Sequence, residues 1–186
     1  MSKLVIKPLT PGCWPQYETL AGPNGASSGC WCMWWRLPNK QYRAGQGATN
    51  KARFKRLVNR GPPPGLLAFE GDEAVGWCAV CPRRRLPALD RSHNLARVDG
   101  MPVWSASCFF VKRSERGKGI SSALIEAALA YAKAKSAPAL EAYPWDVKVK
   151  KAPPGIYTGI ASAFERAGFK VVARRAPHRP VMRYMF

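Results

Sequence analysis

The sequence predicts one α/β (α+β) domain over residues 1–186, a central mixed, twisted sheet of about six to seven strands flanked by about four helices. Three observations predict it. The length suits a single domain, and with 47% hydrophobic residues the chain can bury a substantial core. Short apolar runs alternate with segments of helical spacing, and the chain closes on two strands. An apolar run from Val103 to Val111 enters a helical segment, Ile120 to Lys133, through a glycine-bearing turn. The strand after it, Pro138 to Pro144, is then parallel to the first by the crossover rule.

Taken in order, Leu4-Val-Ile-Lys-Pro-Leu9 reads as a strand. Thr10-Pro11 opens a helix to about Leu20, a cap followed by proline at the first helical position. Gly22 to Gly29 is loop. Cys30-Trp-Cys-Met-Trp-Trp35-Arg36 concentrates three tryptophans whose directions alternate, so they cannot all enter one core. Trp31, Trp34 and Trp35 are therefore candidates for the wall of a substrate pocket, with at least one of them in the core. Ala48 to Arg60 spaces Phe54, Leu57 and Val58 as an amphipathic helix.

Gly65 to Glu70, the turn Gly71-Asp-Glu and Ala74 to Val80 form a hairpin that Pro82 stops. Arg83 to Gly100 is basic, irregular and long, which in a compact domain marks a functional loop. The strand ending at Val111 is apolar or small on both faces and belongs at the centre of the sheet. Ile120, Leu124, Ala127, Ala128 and Tyr131 share one face of the helix that follows. A last helix, Thr158 to Ala167, ends at Gly168, and Phe169 to Arg174 and Val181 to Phe186 are the closing strands.

The formal net charge is +19. That excess points to an anionic substrate, to nonspecific affinity for nucleic acid or to a role in solubility, and it disfavours polycationic substrates, which the protein's field repels. No apolar run is long enough to span a membrane, and the N-terminus lacks a signal peptide's apolar core, so a cytoplasmic location is expected. The six cysteines are expected as free thiols. Cys30-x-Cys32 and Cys78-x-x-Cys81 supply zinc-ligand residue types, but the second pair lies in strand rather than in a knuckle turn, so no metal is expected.

The turn between Val111 and Ile120 is built to hold phosphate. Gly117 and Gly119 let backbone approach a ligand, the first N–H groups of the helix are unpaired, and Arg116 and Lys118 add charge. It is not a P-loop, because no Gly-x-x-x-x-Gly-Lys-Ser/Thr string occurs. Nor is it a dinucleotide fingerprint, because Ser122 stands where the third glycine belongs.

Arg116-Gly-Lys-Gly119-Ile-Ser121 resembles the acetyl-CoA pyrophosphate loop, Gln/Arg-x-x-Gly-x-Gly/Ala, of the GCN5-related N-acetyltransferases (GNAT family), with Ser121 departing at the last position. Phe164-Glu-Arg-Ala-Gly168-Phe169 resembles that family's helix-then-Gly-Phe signature, and the element order is similar to the whole GNAT fold. The resemblance implies a sheet splayed between the strands ending at Val111 and Tyr143, with the pantetheine of acetyl-CoA paired to backbone of Phe109, Phe110 and Val111. Its pyrophosphate would lie on Arg116, Gly117, Lys118, Gly119, Ile120, Ser121 and Ser122. A backbone N–H near Phe110 or Val111 would donate to the thioester carbonyl.

The implied chemistry is N-acetylation of a small-molecule or peptidic amine by direct attack on the thioester. The central strand holds no acid, so Glu141, or else Asp146, is the candidate base. The family's usual acid, a tyrosine, is replaced by Phe164, which leaves Tyr157, or Tyr143, as candidate acid. Cys108 would sit beside the acyl group in the substrate pocket. A noncatalytic acyl-CoA-binding module and a nucleic-acid-associated basic protein are the alternative readings, and a homodimer stays open.

Overall fold

The computed structural model describes residues 4–153 and 155–186. Seven strands form one sheet: β1 (Leu4–Pro8), β2 (Gly65–Glu70), β3 (Glu73–Pro82), β4 (Trp104–Val111), β5 (Ala139–Ala142), β6 (Lys170–Ala173) and β7 (Val181–Met185). Their spatial order is β1-β2-β3-β4-β5-β7-β6, and only β4 and β5 run parallel. The helices are α1 (Trp14–Ala21), α2 (Asn39–Ala44), α3 (Ala48–Arg60), α4 (Pro87–Asp90), α5 (Ile120–Ala134) and α6 (Ala161–Arg166). No helix among the described residues is long and apolar enough to cross a membrane.

The sheet separates two cores. On one face α5 and α6 bury Leu124, Ala128 and Phe164 against Cys78, Ala106 and Leu140. On the other, α1 and α3 bury Trp14, Tyr17 and Phe54 against Trp77 and Ala79. β3 therefore feeds both cores from alternate residues, as a strand covered on both sides must. α5 lies close over β3 because Gly76 has no side chain: a Cβ there would come within 2.8 Å of Ile120 Cγ2.

Three expectations change. The basic segment after Pro82 is not irregular throughout. It contains a 3₁₀ turn and α4, and it buries Leu86, Leu89 and Leu95 against Cys81, Tyr143 and Val181 as a third small core. The last helix starts at Ala161 rather than Thr158, because Gly159 takes φ +78° and Ile160 is extended, which keeps Thr158 to Ile160 out of the helix. Trp31 belongs to the core and does not line the cavity that Trp34 and Trp35 border. It is 3% exposed, stacked on Trp14 at 6.3 Å between ring centroids and tilted against Tyr17 at 6.3 Å.

Candidate functional site

β4 and β5 pair over only three rungs, Trp104↔Leu140, Ser105↔Glu141 and Ala106↔Ala142. Past Ala106 the two strands part. The register with β3 also slips here, from Ala79↔Cys108 to Val80↔Ala106, which leaves Ser107 as the extra residue of a bulge. Its carbonyl accepts a bond from Trp35 Nε1 at 3.2 Å, and its buried hydroxyl has no partner among the described residues.

The chain's own backbone bridges the fork. Phe109 N–H donates to the Tyr157 carbonyl at 2.5 Å, Trp145 N–H to the Gly159 carbonyl at 2.9 Å, and Ala161 N–H to the Trp145 carbonyl at 2.9 Å. Residues 157–161 thus run between the diverging ends of β4 and β5.

The turn after β4 delivers α5 with its N-terminus bare. Gly119, at φ +80°, is the N-cap and gives no side-chain cap, so the first N–H groups of α5 are not satisfied by a side chain. Gly117 is likewise left-handed, at φ +84°, and neither glycine has an atom within 4 Å of an added Cβ position. Arg116 is exposed and steadied by a bond from Nε to the Val111 carbonyl at 3.2 Å, and Lys118 pairs with Glu115 at 2.6 Å. Ile120 turns its side chain into the core and offers the turn only backbone, whereas Ser121 and Ser122 are exposed.

On the face of β4 opposite α5 lies a cavity of about 440 Å³. Trp34, Trp35, Cys108, Phe110 and Tyr157 line it, whereas Trp31 and Glu141 do not. Tyr157 stacks on Phe110 at 6.4 Å and donates its hydroxyl to the Ala26 carbonyl at 3.3 Å.

Glu141 has a different setting from the one a base needs. It is 1% exposed, and its carboxylate accepts from Arg183 at 2.6 and 3.1 Å, from Arg83 at 3.3 Å and from the Tyr143 hydroxyl at 3.0 Å. Ser105 and Arg83 take the remaining bonds of Tyr143, each at 2.7 Å, and burial pushes that phenol well above its ordinary pKa. Two guanidiniums holding one carboxylate make a cross-link between β5, β7 and the segment after β3. Asp146 is paired with Arg174 at 3.0 Å and also lies off the cavity. Phe164 is fully buried, edge-on to Phe109 at 5.7 Å and to Phe169 at 5.2 Å.

A residue that sequence reasoning passed over does reach the cavity. Cys32 accepts a bond from Trp77 Nε1 at 3.0 Å. The neighbouring Cys108 thiol, then Trp77, Arg36 and Tyr17, hold the Cys32 thiol below its ordinary pKa against the opposing effect of burial. Cys108 is pushed up by its contact with Cys32 and by burial. Trp31 and Cys32 are successive non-glycine residues in left-handed backbone, φ +47° and +57°. Such residues cost about 1–3 kcal/mol each and concentrate at functional sites. Nothing in the Cys-x-Cys spacing announces this. Cys78 and Cys81 fall in separate cores, and among the described residues no three metal-ligating side chains converge.

The model of the "Acetyltransferase (GNAT) family" matches residues 31–149, more than half of the chain. The chain belongs to the GNAT acetyltransferase family. Its fold is shared by solved GNAT structures over nearly its whole length. One is described as histone acetyltransferase HPA2 and related acetyltransferase from Corynebacterium glutamicum, with 19% identity, TM-score 0.57 and coverage of 98% of this chain and 96% of that one. A polyamine N-acetyltransferase from Drosophila melanogaster shares 14% identity at TM-score 0.58, with 99% of each chain covered. The PaiA N-acetyltransferase from Thermoplasma acidophilum, solved with coenzyme A, shares 13% at TM-score 0.55, again with 99% of each covered. No curated protein matches the sequence significantly.

The turn fits the pyrophosphate of a coenzyme A, and the β4 edge fits its pantetheine only where residues 157–161 leave backbone groups free. The uncapped α5 N-terminus with two glycines open to solvent suits a pyrophosphate, and the edge of β4 past Ala106 suits an extended chain of amides. The bond from Phe109 to the Tyr157 carbonyl occupies one donor of that edge.

Proposed function

We propose that this GNAT protein is an acetyl-CoA-dependent N-acetyltransferase that passes acetyl to a primary amine by direct attack on the thioester. The observation that carries the reading is the parting of β4 from β5 after Ala106, next to the bare α5 N-terminus behind Arg116-Gly-Lys-Gly119. Gly117 to Ser122 would hold the pyrophosphate through backbone N–H groups, Arg116 and Lys118 would add charge, and the edge from Phe109 to Val111 would face the pantetheine.

The amine enters from the cavity side, where Cys108 and Phe110 bring β4 to the wall. Its nitrogen forms a bond to the acetyl carbon, and the carbonyl oxygen carries the negative charge of the tetrahedral state, which a backbone N–H near Phe110 or Val111 stabilises. The carbon–sulfur bond then breaks. Glu141 is engaged elsewhere, so the proton leaving nitrogen passes to the Cys32 thiolate, and Tyr157 supplies a proton to the departing thiolate. Titration calorimetry with acetyl-CoA and a thiol-release assay over a panel of amines test the reading. It fails when acetyl-CoA neither binds nor loses its acetyl group to any amine.

A further inference from the structure

The cavity that borders Cys108 and Phe110 has a charge pattern of its own. Two of its lining side chains are cationic, Arg36 and Arg179, and among the described residues no aspartate or glutamate lines it. Aromatic rings form part of the remaining wall, with Trp34 and Trp35 from the segment before α2 and Trp145 from the turn after β5.

Neither arginine is paired with a carboxylate among the described residues. The Nη2 of Arg36 reaches Cys81 Sγ at 3.7 Å, and its buried Nε has no partner among the described residues. The single side-chain bond of Arg179 is to the Thr158 hydroxyl at 3.4 Å. Its guanidinium sits over the Trp145 ring at 5.6 Å, and burial without a counter-charge lowers its pKa. Arg179 is half-buried, and a guanidinium that is oriented but has no carboxylate partner is ready for a ligand that brings the anion. A planar fork of this kind matches a carboxylate in two bonds.

We infer that the acceptor is a primary amine that carries an aromatic ring and a carboxylate, with its ring against Trp34, Trp35 and Trp145 and its carboxylate on Arg179. The inference rests on the acetyltransferase reading and deepens it. The two cationic side chains disfavour the opposite class. A polyamine or a guanidino amine needs carboxylates or carbonyl clusters for its charges, and here it would meet Arg36 and Arg179 in a cavity without a carboxylate among the described residues. Reaction at nitrogen balances as before: the N–C bond forms, the C–S bond breaks, the thiolate leaves as CoA thiol, and the ring and carboxylate are unchanged.

The test is a thiol-release assay at fixed acetyl-CoA, with products checked by mass spectrometry. The acceptors are L-phenylalanine, L-tryptophan and 4-aminobenzoate, their decarboxylated counterparts phenethylamine, tryptamine and aniline, and agmatine and spermidine. The expected result is kcat/KM at least about tenfold higher for the better carboxylated acceptor than for its decarboxylated counterpart, the scale of one charge-assisted pair, with agmatine and spermidine weakest. In Arg179→Gln the carboxylate preference collapses toward unity. The wild-type ratio needs no variant, so a misfolded variant leaves the test intact. Faster turnover of agmatine, spermidine or the decarboxylated amines overturns the inference and sustains the acetyltransferase reading. Acetyl-CoA binding with no turnover of any acceptor here also overturns it. Absence of acetyl-CoA binding in calorimetry removes the acetyltransferase reading itself.

Discussion

Replacing Glu141 with glutamine separates a structural carboxylate from a catalytic one. Glutamine keeps the shape and one acceptor oxygen but removes the charge that both Arg183 and Arg83 face, at 2.6 and 3.3 Å, in a site where all three side chains are at most 6% exposed. Breaking a buried ion pair by removing one partner costs about 3–5 kcal/mol, and the retained hydrogen bonds place glutamine at about 3. For a domain of this size each kcal/mol is worth about 2–4 °C, so Tm should fall by about 6–12 °C. Differential scanning fluorimetry reads the shift, and kcat is measured well below both transitions on soluble protein. The account predicts a large fall in Tm with kcat within about threefold of wild type. Loss of kcat by about a hundredfold or more with Tm nearly unmoved would refute the reasoning and return Glu141 to the role of base.

Gly119→Asp should abolish acetyl-CoA binding in calorimetry. It should cost only about 1 kcal/mol of stability, since φ +80° strains a side chain but no atom lies within 4 Å to clash. The kcat/KM profile should rise with pH as Cys32 loses its proton, with its midpoint below the usual thiol range, because Cys108, Trp77 and Arg36 favour the thiolate. Cys32→Ser should flatten that limb, and a limb that stays in place removes Cys32 as proton acceptor. Trp31→Ala should cost about 3–5 kcal/mol in chemical denaturation, as removal of a buried tryptophan does. Trp34→Ala, at a residue 43% exposed, should leave stability nearly unchanged and raise the acceptor KM.

The fold was legible where one period dominated a segment. α3 spans Ala48–Arg60, the bounds its apolar spacing implies, and α5 begins at Ile120, where the glycine turn ends. The glycine turn before α5 was legible because its physics is local, with glycines, cations and a helix start all within a few residues. α2 and α4 escaped because neither displays a sustained apolar period, and Pro38 and Pro87 were the only cues at their starts.

The acceptor side was only partly legible. Trp34 and Trp35 do line the cavity, but Trp31 points into the core because left-handed backbone at Trp31 and Cys32 breaks the alternation a strand would impose. Glu141 looked like a free acid on a strand. Its partners, Arg83 and Arg183, stand 58 and 42 residues away, and no local pattern shows that they converge on it. Cys32 has the converse history, since its environment is made by Trp77 and Cys108 on the neighbouring strands β3 and β4.

The central claim is transfer of acetyl from CoA to an amine nitrogen, and one measurement addresses it most directly. The protein is incubated with acetyl-CoA labelled in the acetyl carbonyl and with L-phenylalanine and the other amines, and the products are read by mass spectrometry alongside released CoA thiol. The account predicts labelled N-acetyl product formed in step with the thiol and lost in Gly119→Asp. Unlabelled amines throughout, with acetyl-CoA recovered intact, would contradict it.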